Sequence, residues 1–174
     1  MAHSVEVLFD AATETAVRGL WDALAAAGVP SQAGHTAPSN RPHVTLTVAE
    51  HIGEAVDAAL LPVLEHLPLP CVIGAPMLFG GSRTVTLVRL VVPSSELLAL
   101  HEDVHRVCVP HMPKGPLPHA DPGHWTPHVT MARRLTPDLL PAAIAVPDLG
   151  RDLEGHITGL RHWDGNAKEE HWIS

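Results

Sequence analysis

The sequence is poor in aromatic and basic side chains. Aromatic residues make up 3% of the 174 positions and tyrosine is absent, so an extended platform for stacking nucleobases is not expected. Lysine and arginine number 11 against 19 aspartate and glutamate residues, and the net charge is −8 with histidine neutral. Because phosphate contacts depend on lysine and arginine, this balance argues against a large non-specific nucleic-acid surface. Any contact with RNA should therefore be local, at an end or with a short oligonucleotide.

Cysteine and long hydrophobic runs are scarce as well. Cys71 and Cys108 lie in apolar surroundings and are interpreted as small buried residues in a reducing compartment. No apolar run approaches bilayer length, and the first residues lack the basic and apolar regions of a signal peptide. We therefore expect a cytoplasmic protein without a membrane partner. With 45% hydrophobic residues, we expect residues 1–174 to form one domain of two lobes, as a monomer.

One short pattern occurs twice. Residues 42–46 read Pro-His-Val-Thr-Leu and residues 127–131 read Pro-His-Val-Thr-Met, with the two histidines 85 positions apart, 128 − 43. Valine, threonine and leucine after a proline predict a strand that begins at each motif. Because residues i and i+2 of a strand face the same side, each histidine shares a face with the threonine two positions later. These pairs are His43 with Thr45 and His128 with Thr130.

Two imidazoles and two hydroxyls on neighbouring strands would suit a phosphate. Histidine, with an ordinary pKa of about 6.5, can act as a general base or a general acid, and threonine hydroxyls can donate to phosphoryl oxygens. This chemistry requires no metal. The near-identical motifs do not show which histidine is the base. We prefer His128 as base and His43 as acid for the opening of a cyclic phosphate.

The paired motifs resemble those of the 2H phosphoesterase superfamily, and are most similar to its bacterial 2′-5′ RNA ligase and RNA 2′,3′-cyclic phosphodiesterase branch. The resemblance implies a duplicated fold of two pseudo-twofold lobes with the motifs at a central cleft. It also implies a metal-independent enzyme without a cofactor. That enzyme would open 2′,3′-cyclic phosphates and could run the reverse 2′-5′ ligation.

The resemblance also implies two further contacts with the substrate. An arginine at the position of Arg133 helps to bind phosphate in this family. Strict strand alternation puts Arg133 on the face opposite His128, so a bulge or the reach of its side chain would be needed. Val48 stands where the RNA-processing branch often carries an aromatic residue that stacks on a base. Trp125 could stack instead, although a role in anchoring a loop or the core is the alternative.

The pattern of apolar residues and turn signals predicts an α+β fold with mainly antiparallel sheets that line the cleft and helices packed outside. Strand, helix, motif strand and helix follow one another in each half of the chain. The predicted strands are residues 4–9, 42–48, 69–79, 83–92, 127–133, 153–163 and 168–173. The predicted helices are residues 11–27, 52–67 with a kink at Pro62, 95–109 and 137–145.

Two histidine patterns suggest a metal instead. His101-Glu102-Asp103-Val104-His105 matches the zinc-peptidase pattern His-Glu-x-x-His, but His101 falls on the apolar stripe of its predicted helix. The loop of residues 110–125 adds candidate ligands, although a surface loop over the cleft is the preferred interpretation. These candidates are His111, His119, Asp121 and His124.

The preferred substrate is a cyclic phosphate on an RNA end or on a small nucleotide. Three alternatives stay open at this point. The first is a phosphodiesterase for another small cyclic nucleotide, such as an ADP-ribose cyclic phosphate. The second is a non-catalytic module that binds RNA ends or nucleotides, and the third is a zinc hydrolase that uses the helix pattern above.

Overall fold

The computed structural model describes residues 2–174, which form one sheet with helices packed against it. Its elements, in chain order, are β1 (His3–Phe9), α1 (Ala11–Ala26), β2 (His43–Ala49), α2 (Val56–Leu60), β3 (Leu69–Gly80), β4 (Val85–Val91), α3 (Ser95–Cys108), β5 (His128–Leu135), α4 (Leu140–Ile144), β6 (Leu153–Asp164) and β7 (Glu169–Trp172).

The strands form one antiparallel sheet in the order β2-β1-β6-β3-β4-β5, with β7 paired to β6. The predicted α+β class with antiparallel pairing is confirmed. The strands predicted over residues 69–79 and 83–92 form the hairpin β3–β4, in which Gly80 pairs with Val85 and adopts a φ of 123° that suits glycine.

The chain repeats one arrangement of elements. β1-α1-β2-α2-β3 is followed by β4-α3-β5-α4-β6, as the predicted order in each half requires. The third strand of each half crosses into the other half of the sheet, because β3 pairs with β4 and β6 pairs with β1. As a result β3 and β6 meet at the centre, and the two motif strands β2 and β5 occupy the two ends.

The long helices begin where their capping residues predict. Asp10 accepts a hydrogen bond from the backbone N–H of Thr13 at 2.8 Å, and Ser94 accepts one from Leu97 at 3.2 Å. The helix predicted over residues 52–67 is wrong in extent. Regular α-helix covers only α2, and residues 61–66 form a 3-10 helix with Pro62 near its start. Proline cannot supply the next helical N–H and its ring crowds the preceding turn.

A continuous hydrophobic core lies between the sheet and the helices. Its fully buried side chains include Val5 and Leu46 from the sheet and Val104 from α3. Cys71 and Cys108 are buried and unpaired, and burial raises the pKa values of their thiols to about 11 and about 12. No helix among residues 2–174 is long and apolar enough to cross a membrane.

Candidate active site

The two ends of the sheet curve toward each other, so that β2 and β5 come into contact. His43, Thr45 and Thr130 line one cavity of about 420 Å³. Thr45 also lines an adjoining cavity of about 540 Å³, together with His128. The structure therefore places both His-x-Thr motifs around one cleft, with Thr45 between its two compartments.

The two motif histidines are held in the same way. Nδ1 of His43 lies 2.7 Å from the carbonyl oxygen of Arg41, and Nδ1 of His128 lies 2.7 Å from the carbonyl oxygen of Thr126. A carbonyl can only accept, so each Nδ1 carries the hydrogen. Each ring is thereby fixed with Nε2 as its reactive nitrogen, able to accept a proton when the ring is neutral and to donate one when it is charged.

A β-bulge follows the threonine of each motif. In β5 the neighbouring partners of Val88 and Leu87 are Thr130 and Ala132, so Met131 is the extra residue. An extra residue reverses the alternation of faces beyond it. Arg133 consequently lines the same cavity as Thr130 and His43. Of the two ways in which Arg133 is expected to reach the cleft, a bulge and the length of its side chain, the bulge is present.

The first motif has the matching bulge. Glu6 pairs with Thr45 and Val5 pairs with Thr47, which leaves Leu46 as the extra residue of β2. Val48 therefore turns toward the cleft and lines both of its compartments. Val48 and Arg133 each follow their motif histidine by five positions, so one side of the cleft carries a methyl-bearing residue where the other carries a positive charge.

A buried carboxylate faces one histidine only. Glu6 is 4% exposed, and its Oε1 lies 3.7 Å from Nε2 of His43. Burial alone would raise the pKa of Glu6, but the charges of His43 and Arg161 and hydrogen bonds from Ser4 and Arg161 together hold this pKa below its ordinary value. Arg161 reaches Oε2 at 2.8 Å, and the Ser4 hydroxyl donates to Oε1 at 2.7 Å.

Sequence reasoning missed this group of Ser4, Glu6 and Arg161. Glu6 and Arg161 pair across β1 and β6 but lie 155 positions apart in the chain. The available signal is the Ser4-x-Glu6 spacing, which puts two polar side chains on one face of a strand whose remaining residues, apart from His3, are apolar. Three of the groups around His43 therefore come from strands other than its own.

His128 has a different environment. Burial is the main cause that lowers its pKa, opposed by the hydrogen bond to Thr126 and assisted by the positive charges of His43 and Arg133. The ring of Phe79 meets the His128 ring edge-on at a centroid distance of 4.8 Å. These surroundings favour the neutral ring of His128, whose Nε2 can accept a proton.

Comparison with known proteins identifies the family. The model of the 2′-5′ RNA ligase superfamily matches residues 11–169. The chain belongs to this superfamily. The match confirms the resemblance to the 2H phosphoesterases that the paired motifs indicate. No curated protein matches the sequence.

Solved structures share the superfamily fold. TT0787 of Thermus thermophilus is 17% identical, with a TM-score of 0.60 over 100% of this chain and 96% of that one. Kluyveromyces marxianus Usb1 is 12% identical, with a TM-score of 0.57 over 99% and 97%. The MHV ns2 PDE domain is 17% identical, with a TM-score of 0.54 over 99% of both chains. At these identities the likeness concerns the fold.

Two tryptophans support the superfamily motifs symmetrically. The indole N–H of Trp21 donates to the carbonyl oxygen of Thr130 at 3.1 Å, and that of Trp125 donates to the carbonyl oxygen of Thr45 at 2.9 Å. Trp125 also stacks on His101, with centroids 3.9 Å apart and planes within 1°. One face of Trp125 is thus covered, while the residue still lines the His128 compartment. Its anchoring role is visible, and a contact with substrate stays a prediction.

The metal patterns anticipated in α3 and its following loop do not assemble. Nε2 of His101 lies 3.0 Å from the carbonyl oxygen of Ala120, and Nε2 of His105 lies 3.3 Å from Asp121. Among residues 2–174, one group of three His, Cys, Asp or Glu side chains brings its potential ligand atoms within 4.8 Å, and it contains none of these residues. The zinc-hydrolase alternative therefore finds no ligand set in α3. His119 and His124 instead line the His128 compartment, and His111 lies outside both compartments.

Proposed function

We propose that the protein is a metal-independent phosphodiesterase that opens a 2′,3′-cyclic phosphate. The observation that carries the proposal is the pair of imidazoles from opposite ends of the sheet. Each presents Nε2 as its reactive nitrogen in one cleft, and each is followed by a threonine that faces the same space. Membership of a superfamily of phosphodiesterases and ligases supports the same conclusion.

In the proposed reaction, a water oxygen attacks phosphorus in line with one ribose oxygen. His128, as the neutral ring, takes the proton from water, and His43, as the charged ring, gives a proton to the departing ribose oxygen. The bond between phosphorus and that ribose oxygen breaks, and a phosphomonoester remains on the other ribose oxygen. After the reaction His128 is charged and His43 is neutral. Proton exchange with solvent returns both rings to their starting states.

The unequal surroundings of the two rings support this assignment of roles. The Glu6 carboxylate lies 3.7 Å from Nε2 of His43 and stabilises a positive ring there. Burial lowers the pKa of His128 and stabilises a neutral ring. General acid–base catalysis by two groups requires opposite protonation states at the start of the reaction. In this proposal the charge of Glu6 beside His43 and the burial of His128 together account for that difference.

The remaining groups would hold the phosphoryl oxygens. Thr45 and Thr130 offer hydroxyl donors from the two sides of the cleft, and the exposed Arg133 offers a guanidinium in the compartment of His43. Charge that develops on phosphorus oxygens is stabilised by such donors when they are already oriented. The reverse reaction, which joins a hydroxyl to the cyclic phosphate, would use the same groups with acid and base exchanged.

The two compartments suggest a nucleoside substrate of limited size. The compartment of His128 is bordered by the apolar rings of Phe79 and Trp125, which suits a nucleobase. A structure of K. marxianus Usb1, which shares the fold, contains uridine monophosphate. With a net charge of −8, the protein has little capacity for long RNA. We therefore propose an RNA end or a small nucleotide as the substrate.

The His43 compartment could also hold a second phosphate, such as the one that an ADP-ribose cyclic phosphate carries. Arg41 lines the His43 compartment together with Arg133 and Arg161, and Nε of Arg41 is buried without a hydrogen-bond partner in the described structure. Guanidinium groups around a polar compartment suit a second phosphate. An RNA end has further phosphates nearby, so both substrates fit this compartment. A substrate panel separates them.

The test is an assay of 2′,3′-cyclic nucleotides, cyclic-phosphate oligonucleotides and ADP-ribose cyclic phosphate with EDTA present. Wild type should turn over at least one of these, and His43→Ala and His128→Ala should each lose on the order of 10²- to 10⁴-fold in rate. Thr45→Val and Thr130→Val should lose less, because each removes one donor. Unchanged turnover in both histidine variants, or activity that requires an added metal, contradicts the proposal.

A further inference from the structure

A second cluster of histidines lies on the other face of the sheet from the cleft. Arg161 and His162 are consecutive in β6, so their side chains point to opposite faces. Arg161 lines the cleft beside Glu6. His162 therefore faces away from it, directly across from His171 of β7. Asp57, in the first turn of α2, is the third member of the cluster and contacts both histidines.

The three side chains bring together atoms that could coordinate a metal ion. Oδ1 of Asp57 lies 2.9 Å from Nδ1 of His162, and Oδ2 of Asp57 lies 2.9 Å from Nδ1 of His171. All three groups bring a potential ligand atom within 4.8 Å of the others. Both nitrogen–oxygen distances are those of hydrogen bonds. Ligands about 2.1 Å from a tetrahedral zinc ion stand about 3.4 Å apart, so each nitrogen and its carboxylate oxygen would move apart by about 0.5 Å to share an ion.

We propose that Asp57, His162 and His171 form a binding site for a divalent transition-metal ion of the zinc type. Two imidazole nitrogens and one carboxylate are donors that suit Zn²⁺, Co²⁺ and Ni²⁺, whereas Mg²⁺ and Ca²⁺ prefer oxygen ligands alone. The proposal does not rest on the proposed phosphodiesterase activity, and the reaction in the cleft does not use this ion.

The outer nitrogen of His162 has a hydrogen-bond partner, as is usual for metal-binding histidines. Nε2 of His162 lies 3.1 Å from Nδ1 of His3, and Nε2 of His3 lies 3.3 Å from Asp164. Nε2 of His171 lies 3.9 Å from Glu169. The contact with His3 fixes the ring of His162 so that it presents Nδ1 to the Asp57 carboxylate, whereas the contact of His171 with Glu169 is longer than a hydrogen bond.

Access to the cluster is open on one side. The His162 side chain is 1% exposed, while those of Asp57 and His171 are each 30% exposed. An ion can therefore reach Asp57 and His171 from solvent, and the buried His162 can then coordinate it as the third ligand. Three protein ligands leave room for water at the remaining positions, as in open zinc sites.

The experiment titrates Zn²⁺ into EDTA-treated, desalted protein by isothermal calorimetry. Wild type should bind one ion, and His171→Ala and Asp57→Asn should each weaken binding on the order of 10- to 100-fold or more. His66→Ala is the matched control, because His66 is an exposed histidine that faces Asp103 at 3.5 Å and should leave Zn²⁺ binding unchanged. Circular dichroism identifies any variant that does not fold.

A second measurement uses wild type alone, so that it does not depend on how the variants fold. Zn²⁺ should protect His171 from diethylpyrocarbonate, as mapped by mass spectrometry, and should leave His66 reactive. No saturable binding, or the same affinity in His171→Ala and Asp57→Asn as in wild type, overturns the proposal and leaves the cluster as a hydrogen-bonded network. Phosphodiesterase activity is measured on the same samples, and its presence or absence does not alter the outcome for this site.

Discussion

Replacement of Glu6 by glutamine tests the roles that we propose for the two motif histidines. The substitution keeps the shape of the side chain and removes the charge that lies 3.7 Å from Nε2 of His43. Two unit charges at this distance interact by about 4 kcal/mol at an effective dielectric constant of about 20. Arg161, which is 2.8 Å from the other carboxylate oxygen, cancels much of this field.

A net effect of about 1 to 2 kcal/mol on the charged state of His43 corresponds to a loss of about 5- to 30-fold in kcat/KM above neutral pH. Glu170→Gln is the matched control, since Glu170 also pairs with Arg161, at 2.7 Å, on the side away from His43. The same kcat/KM for Glu6→Gln and wild type would refute the assignment of His43 as acid.

The same substitution has a consequence for stability. The pKa of Glu6 is lowered in the folded state, so Glu6 contributes stability that is present above its ordinary value of 4.5 and is lost as pH falls through the lower folded value. Loss of one partner of a buried ion pair costs about 3 kcal/mol. Glu6→Gln should therefore unfold at lower urea concentration at neutral pH, with a smaller difference from wild type at pH values below 4.5.

Three further predictions concern single residues of the cleft. The acidic limb of the kcat/KM profile should lie below pH 6.5, because burial lowers the pKa of His128. His128 becomes protonated, and can no longer act as the base, only when pH falls below this lowered pKa. An acidic limb above pH 6.5 would contradict the prediction. Arg133→Ala should raise KM about tenfold, whereas Arg134→Ala, at the exposed neighbouring position, should leave KM unchanged in steady-state assays. Trp21→Phe and Trp125→Phe should each cost about 1 to 3 kcal/mol in urea unfolding, because each leaves a threonine carbonyl without its indole donor.

The faces of the two motifs could be predicted from local sequence because they depend only on strand alternation over three residues. The positions of Asp10 and Ser94 likewise indicate where α1 and α3 begin, since capping is decided within one turn. The repeated order of elements follows from these local signals. It leads to the expectation that the two motif strands meet.

The positions of the bulges at Leu46 and Met131 could not be predicted in the same way, although the resemblance gave a reason to expect a bulge before Arg133. Each lies in a run of residues that is compatible with a regular strand or with a bulged one. Which of the two forms depends on how the neighbouring strand packs. The partners of His43 were missed for a related reason. Glu6 is 37 positions away from His43 and Arg161 is 118 away, 43 − 6 and 161 − 43, so only the assembled sheet brings them together.

The central claim is that both imidazoles act on one phosphate. The most direct measurement compares the rates of His43→Ala, His128→Ala and the double variant on the best cyclic-phosphate substrate, with EDTA present. Groups that act as one unit lose nearly all of their effect when either is removed. The double variant should therefore be no more than a few-fold slower than the slower single variant. A double variant whose loss equals the product of the two single losses would show that the histidines act independently, and would contradict the account.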